Sequence, residues 1–503
     1  MSLRFLACAA LLLFHVSCAI GPNYKRPIVE VPEVYRGSLD SREAKSLADL
    51  AWWEIFEDPV LLGLIETALN NNLDLEMAVA RTEQAYRLSV ATNSSFYPQV
   101  GYDGSAGKSR RQDFSGRGES FEFTNYMGAF NVAWEIDIWG RIRRASESAK
   151  AQLLASEDFQ RGILLSVVSE VATLYFVLLE LDRSYTIGVQ AVEAFDETLD
   201  LFTRKYEGGV ASKLEVTRAA AAEAQASAWL PEIEIEIAAV ENILSVLLGR
   251  PPGQIPRGTQ LINQQLPTLP AGLPSALLER RPDIRQAEQQ VVSANAQVGV
   301  AMGNFLPRIG LVSMWGGASE NLGDLAAGGS TSLWNVAGEL SGPLFQGGLL
   351  YSEYKAQQAM WEESKAAYEL TALNAFAEVS SSIVDRRLRK DQRVAREREV
   401  NQLNESVNLS LIRYEQGLAS YFEVLQAQQE LFPAEFDLSE SRLEERLAVI
   451  RLYRSLGGGW QLGLDWLPEP EPVEGSTSPV DSKEEDKAPA SGESKTVADP
   501  EPS

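Results

Sequence analysis

The chain has 503 residues, 45% of them hydrophobic, and a formal charge of −25. It is long enough for two to four ordinary domains. That acidity argues against nucleic acid and against an anionic membrane surface as partners.

Met1-Ser2-Leu3-Arg4 and the apolar run Phe5 to Val16 predict a signal peptide over 1–17, too short to span a bilayer. Val16-Ser17-Cys18 places small residues before a cysteine, the arrangement a lipoprotein signal peptidase needs, so Cys18 is the predicted lipidation site and first mature residue; the alternative, since His15 stands where such signals usually carry Leu, is ordinary cleavage nearby with a free Cys18. Cys8 and the single histidine, His15, leave with the signal. The mature chain then has no His, no disulfide and one Cys blocked by lipid, which removes most routes to metal or nucleophilic catalysis. An enzyme, a metal site and a cofactor are therefore not expected.

After an N-terminal lipid-anchored segment (18–60) the sequence repeats itself. Asp74 and Phe96-Tyr97-Pro98 are answered by Asp283 and Phe305-Leu306-Pro307, and Asn131-Val132-Ala133 by Asn335-Val336-Ala337. Tyr206-Glu207-Gly208-Gly209-Val210-Ala211-Ser212 is answered by Tyr414-Glu415-Gln416-Gly417-Leu418-Ala419-Ser420, at an offset of about 204 to 209 residues throughout. The first structural repeat covers 61–250 (strands about 97–138, long helices about 143–249). A linker follows at 251–273, and the second repeat covers 274–460 (strands about 306–345, long helices about 349–457).

Arg143 to Tyr206 contains no proline and is rich in Ala, Glu, Leu and Gln. That predicts one helix of about 90 Å, which must pack side by side in a coiled-coil bundle. A rival reading takes the apolar stretch Ile163 to Leu179 as a membrane helix, against the interruptions at Ser166, Ser169, Glu170 and Thr173. Pro231 and Pro433 fall inside the descending helices, where kinks are expected.

The strands have period two. Phe130, Val132, Trp134, Ile136 and Ile138 alternate with Asn131, Ala133, Glu135 and Asp137; Trp334, Val336 and Leu340 alternate with Asn335, Ala337 and Glu339. In an exported chain with Gly/Ser-rich connections this predicts amphipathic β-hairpins in a membrane. Four strands cannot close a barrel, so the chain must oligomerise, and spacing alone permits a dimer or anything larger. From Pro468 to Ser503 the composition predicts a disordered acidic tail.

The segments Cys18-Ala19-Ile20-Gly21-Pro22-Asn23-Tyr24-Lys25-Arg26-Pro27 and Trp52-Trp53-Glu54-Ile55-Phe56-Glu57-Asp58-Pro59, with the two Gly-x-Ala-Ser turns, resemble the TolC and OprM outer-membrane factor family from Cys18 to Trp460. The resemblance implies a mixed α and β fold: three chains form a 12-stranded membrane β-barrel continued by a periplasmic α-helical tunnel. It implies an outer-membrane channel subunit of a tripartite efflux or type I secretion system, a passive exit duct for small molecules driven by an inner-membrane pump. The implied partners are two further copies of the chain, a periplasmic adaptor protein, the pump and outer-membrane lipid.

By the same resemblance Gly209, Val210, Ala211, Ser212 and Gly417, Leu418, Ala419, Ser420 are adaptor-docking turns. Their bare reading is structural: Ser212-x-x-Glu215 and Ser420-x-x-Glu423 are capping boxes, and Gly209 and Gly417 end the preceding helices. The resemblance also puts Glu423 and Gln426 at the aperture, with a carboxylate missing at the second position, and pairs Tyr414 with Glu215 as a hydroxyl–carboxylate latch. The alternative from another class is a non-conducting coiled-coil envelope scaffold or adhesin.

Overall fold

The computed structural model describes residues 19–32, 35, 58–112, 120–263 and 274–458. The signal peptide, Cys18, Trp52 to Glu57 and the acidic tail lie outside the described residues.

Two short helices, α1 (Pro59–Asn71) and α2 (Leu73–Asn93), lead into strands β1 (Gln99–Gln112) and β2 (Ser120–Ile136). Helices α3 (Arg141–Glu207, 67 residues) and α4 (Lys213–Leu247, 35 residues) complete the first copy. The second copy runs α5 (Pro274–Arg280), α6 (Pro282–Gly303), β3 (Arg308–Ser319), a short α7 (Leu322–Ala327) and β4 (Thr331–Ser341). It ends with α8 (Leu349–Glu415) and α9 (Tyr421–Ser455), again 67 and 35 residues. At 1.5 Å per residue α3 and α8 are each about 100 Å long.

The copies also share their joints. Left-handed glycines stand in pairs before the long helices (Gly140 and Gly348), at the tip turns (Gly209 and Gly417) and after the descending helices (Gly249 and Gly457). At the last pair space is short as well, since a Cβ on Gly249 would lie 2.1 Å from the Asn71 carbonyl oxygen. The end of each descending helix is closed by a different residue. Asn72 donates to the Leu247 carbonyl at 2.9 Å, and Arg281 donates to the Ser455 carbonyl at 2.9 Å.

The apolar stretch of α3 is core. Leu164, Leu165, Val167, Val168, Val171, Ala172, Tyr175, Phe176, Leu178 and Leu179 are all buried inside the chain, so it is not exposed as a lipid-facing span would be. Its neighbour α4 approaches through Ala219, Ala222 and Ala226, and opposite Gly188 a Cβ would meet the Leu230 side chain at 2.9 Å. Small residues on one stripe allow close helix pairing. The helical run continues uninterrupted through Pro231 and Pro433. Each ring removes one hydrogen bond, and packing such as Trp229 edge-on to Phe436, with centroids 5.2 Å apart, holds these helices together nearby.

The strands form one antiparallel sheet in the order β1-β2-β3-β4, so the hairpins of the two copies are joined through β2 and β3. Register makes the sidedness explicit. Tyr102, Phe130, Trp315 and Trp334 stand opposite one another in one row across all four strands, and Ile136, Ile309 and Leu340 form another. The other face carries Asn131, Met314 and Asn335 in one row and Glu135 and Glu339 in another, with the Asn131 amide bonded to Asp103.

Candidate functional site

Two regions of this framework hold the residues singled out in the sequence, the sheet and the helical tip. On the sheet, the large apolar side chains have none of the described residues packed over them: Tyr102 is 84% exposed, Phe130 61%, Trp315 67% and Trp334 74%. A half-buried soluble sheet would place such a row on its core. From Ile136 to Tyr126 the band runs 11 residues of β2, about 35 Å along the strand and roughly 25 Å high at the tilt of a barrel strand. Strands β1 and β4 are the sheet's outer edges, without a further strand beside them among the described residues.

Below the sheet, the N-terminal segment is strapped to the corner between β2 and α3. The Ile20 amide donates to the Trp139 carbonyl at 2.9 Å. Buried Arg144 reaches back to the Ile20 carbonyl at 3.1 Å and to Asn23 at 2.7 Å. Further on, Tyr24 and Arg26 both bond Glu288, at 2.9 and 2.7 Å. Residue 19 is thereby held beside Gly140, at the end of the apolar band. Asp58, fully buried, caps α1 and accepts from the Tyr175 hydroxyl and the Thr259 amide, both at 2.9 Å, tying α1, α3 and the inter-repeat linker together.

At the opposite end of the long helices both turns close by the same pattern. Val210 N–H donates to the Lys205 carbonyl and Gly209 N–H to Tyr206; Leu418 N–H donates to Arg413 and Gly417 N–H to Tyr414, at 2.8 to 2.9 Å. These are Schellman closures, and they need the left-handed glycine that each turn has. The turns project outward: Val210 is 81% and Leu418 66% exposed, and Leu214 and Phe422 beside them are also exposed.

The capping boxes differ from expectation. The first is complete, with the Ser212 amide donating to Glu215 at 2.6 Å and the Ser212 hydroxyl at 2.9 Å. The second is absent, because the Glu423 carboxylate turns instead to Arg413 at 3.3 Å and Ser420 makes no side-chain cap. The expectation failed because Arg413 offers Glu423 a charged partner across the turn.

The Tyr414–Glu215 pair also takes another form. Glu215 is engaged by Ser212, whose amide and then hydroxyl hold its pKa below the ordinary carboxylate value, with the Lys205 charge adding to the effect. The Tyr414 hydroxyl accepts from Lys205, whose ammonium lies 4.5 Å from the Tyr414 ring centroid. Tyr414 in turn stands edge-on to Tyr421, which shares a 2.7 Å hydrogen bond with Thr198. Lys205 is thus the residue between Tyr414 and Glu215, and sequence reasoning passed over it. The available signal was its position: Lys205 precedes Tyr206 as Arg413 precedes Tyr414, so each copy sets a cation one residue before the paired tyrosine.

Glu423 and Gln426 share an exposed face of α9, where the Gln426 amide donates to Glu430 at 3.1 Å. The carboxylate missing at 426 is followed by one a turn further along, also overlooked in the sequence. Among the described residues no cluster of His, Cys, Asp and Glu is arranged to hold a metal ion.

The profile of the family described as "Outer membrane efflux protein" matches residues 64–250 and again 273–458. The solvent efflux pump outer membrane protein SrpC of Pseudomonas putida is 33% identical over 461 residues, covering 90% of this chain and 97% of its own. The cation efflux system protein CusC of Escherichia coli O6:H1 is 30% identical over 458 residues, covering 90% and 98%. The solved outer-membrane channel OprN superposes with a TM-score of 0.80 at 28% identity, over 88% of this chain and 100% of its own. With a profile matching once per repeat and relatives aligned over nearly their whole length, the chain belongs to the outer membrane efflux protein family, whose members are outer-membrane channels of efflux pumps.

Proposed function

We propose that three copies of this chain close a 12-stranded barrel in the outer membrane, continued by a periplasmic tunnel of α3, α4, α8 and α9, and that the assembly is a passive exit duct fed by an inner-membrane pump through a periplasmic adaptor. The observation that carries this is the sheet: an exposed apolar face between two edges that, among the described residues, have no further strand beside them. An open edge in lipid costs several kcal/mol per unpaired backbone group, which closure with further copies removes. The non-conducting scaffold gives no reason for that face. Relatives named for solvent and cation efflux share the architecture, which supports a duct tolerant of cargo with selectivity in the pump.

Cys18 directly precedes the strap held beside Gly140, and this supports a lipid anchor at the inner rim of the membrane band. The exposed turns at 209–212 and 417–420 support docking of the adaptor, with Val210 and Leu418 as apolar contacts. Glu423 rings the aperture with its charge partly balanced by Arg413, a weak preference for cations. Lys205, between Tyr414 and Glu215, is the latch that ties α3 to α8 at the tip.

The test is single-channel conductance of the detergent-purified protein in planar bilayers, with the mass of complex and chain measured on the same sample. Discrete steps from an acylated trimer are expected; a non-conducting monomer counts against the duct. Replacing Lys205 by Ala should raise the conductance as much as the double change Tyr414→Ala and Glu215→Ala. Unchanged currents would remove the latch.

A further inference from the structure

We propose that Lys108 and Arg110, at the outer end of the β1–β2 hairpin, bind the phosphorylated headgroup of an anionic lipid in the outer leaflet. The inference rests on the membrane placement of the sheet given above. Side chains alternate between faces along a strand, so Lys108 and Arg110 share the face of Tyr102, the apolar one. Register fixes their height. Ala106 stands opposite Tyr126, and Tyr126 opposite Ser319, in the last row of the band; Lys108 stands opposite Thr124 in the next row, about 7 Å further along the strand. Arg110, opposite Glu122, follows one row later. A cation just beyond the apolar band and on its outward side lies at headgroup level, where long basic side chains keep their stems on apolar surface and their heads in the polar layer.

Charge points to the ligand. Both cations share one carboxylate: Lys108 lies 2.8 Å and Arg110 3.8 Å from Glu122. Their side chains remain 67% and 69% exposed. Among the described residues of the hairpin's outer end, this face therefore keeps a positive excess, in a chain of net charge −25. The overall acidity argues against a whole anionic surface as partner, whereas this patch is local and lies within a Debye length of the phosphates it would meet. A lysine and an arginine side by side suit a phosphate monoester, the arginine through paired N–H donors and the lysine as a point charge. A trimer would repeat the patch three times around the outer rim.

The experiment is native mass spectrometry of the full-length, detergent-purified protein titrated with bisphosphorylated lipid A, with the dephosphorylated lipid as control and inorganic phosphate as competitor. Wild-type protein should retain the phosphorylated lipid in preference to the control. The double variant Lys108→Ser, Arg110→Ser should lose about thirtyfold in affinity, roughly fivefold for each cation. Glu122→Gln, which frees both cations, should bind more tightly than wild type. Equal retention of phosphorylated and dephosphorylated lipid, equal retention by wild type and double variant, or displacement by millimolar phosphate alone overturns the assignment. The same samples are examined for conductance and mass: a conducting trimer without the lipid preference overturns only this inference, whereas a non-conducting monomer overturns the duct on which it rests.

Discussion

Helices α3 and α8 have the same length and join the same elements in the two repeats, yet α3 buries 26 of its residues within the chain and α8 only 6. The descending helices reverse this, with 19 buried residues on α9 against 7 on α4. The core of one chain is therefore built from α3 of the first copy and α9 of the second. Corresponding positions have exchanged character: Glu180 on α3 is buried while Leu388, its counterpart 208 residues on, is 52% exposed, and Phe432 on α9 is buried while its counterpart Ala224 is exposed. Duplication has kept the backbone and let the side chains divide the work. In the proposed assembly, the apolar side chains that α8 leaves open, such as Leu370, Leu373 and Leu388, are what neighbouring copies would cover.

Damage to the shared core where α3 and α9 meet should have the largest effect. Phe432 stands edge-on to Phe195 with centroids 5.5 Å apart, in a cluster with Phe202, Tyr421 and the alanines of α4. Phe432→Ala should cost about 3–5 kcal/mol, the usual range for emptying a buried aromatic site. Thermal unfolding of the detergent-solubilised protein measures it. The reciprocal change Ala224→Ser, at the exposed counterpart, should leave the midpoint within error.

A smaller effect of opposite sign is expected at Glu180. Burial raises its pKa; the Ser184 hydroxyl, which donates to it at 2.5 Å, and Ser439 on α9 oppose the shift, while Glu440 on α9 and Glu236 on α4 add negative charge around it. A carboxyl with its folded pKa above the unfolded one contributes stability below the ordinary carboxylate range and loses it as pH rises through the folded value. Glu180→Gln should accordingly raise the unfolding midpoint at neutral pH, and the gain should shrink as the pH falls into the ordinary carboxylate range. A gain that is the same at neutral and acidic pH would show that Glu180 is not the group being relieved.

Much of this architecture was legible because duplication writes backbone requirements twice. Gly209 and Gly417, the paired tyrosines and the period-two runs around Phe130 and Trp334 each mark a helix end or a strand face on their own, through local rules of conformation and alternation. What escaped depends on register between segments far apart in sequence. That Lys205 meets Tyr414 is set by how α3 packs against α9, whose Tyr421 stands edge-on to Tyr414, and the joining of β2 to β3 pairs Phe130 with Trp315, neither of which any local pattern contains. The missing capping box at Ser420 has the same origin, because Ser-x-x-Glu and the preceding cation occur in both turns, and only the three-dimensional partners differ: Arg413 turns to Glu423, whereas Lys205 turns to Tyr414 of the other copy. The cation before each tyrosine was visible but had no meaning until its partners were in place.

The weakest effect is expected in the second copy's own helix pair, where a small apolar cluster of Val400 with Leu431, Ala434 and Leu438 is flanked by a ladder of ionic contacts. Arg389 to Glu444, Arg393 to Glu445, Arg396 to Asp437, Glu397 to Arg442 and Asp385 to Arg451 cross between α8 and α9 at 2.7 to 3.2 Å. Their side chains are 12 to 46% exposed, so water and salt screen them, and exposed pairs are worth about 0.2–1 kcal/mol each. Arg393 serves two carboxylates, Glu445 at 2.7 Å and Glu397 at 2.8 Å. Arg393→Ala should therefore cost no more than about 1 kcal/mol at low ionic strength and less in 1 M salt, where the Debye length falls to about 3 Å. A loss as large as that of Phe432→Ala, undiminished by salt, would mean that the ladder is desolvated in the assembled protein. In that case the pair α8–α9 is a core in its own right, and the division of labour between the copies belongs to the single chain alone.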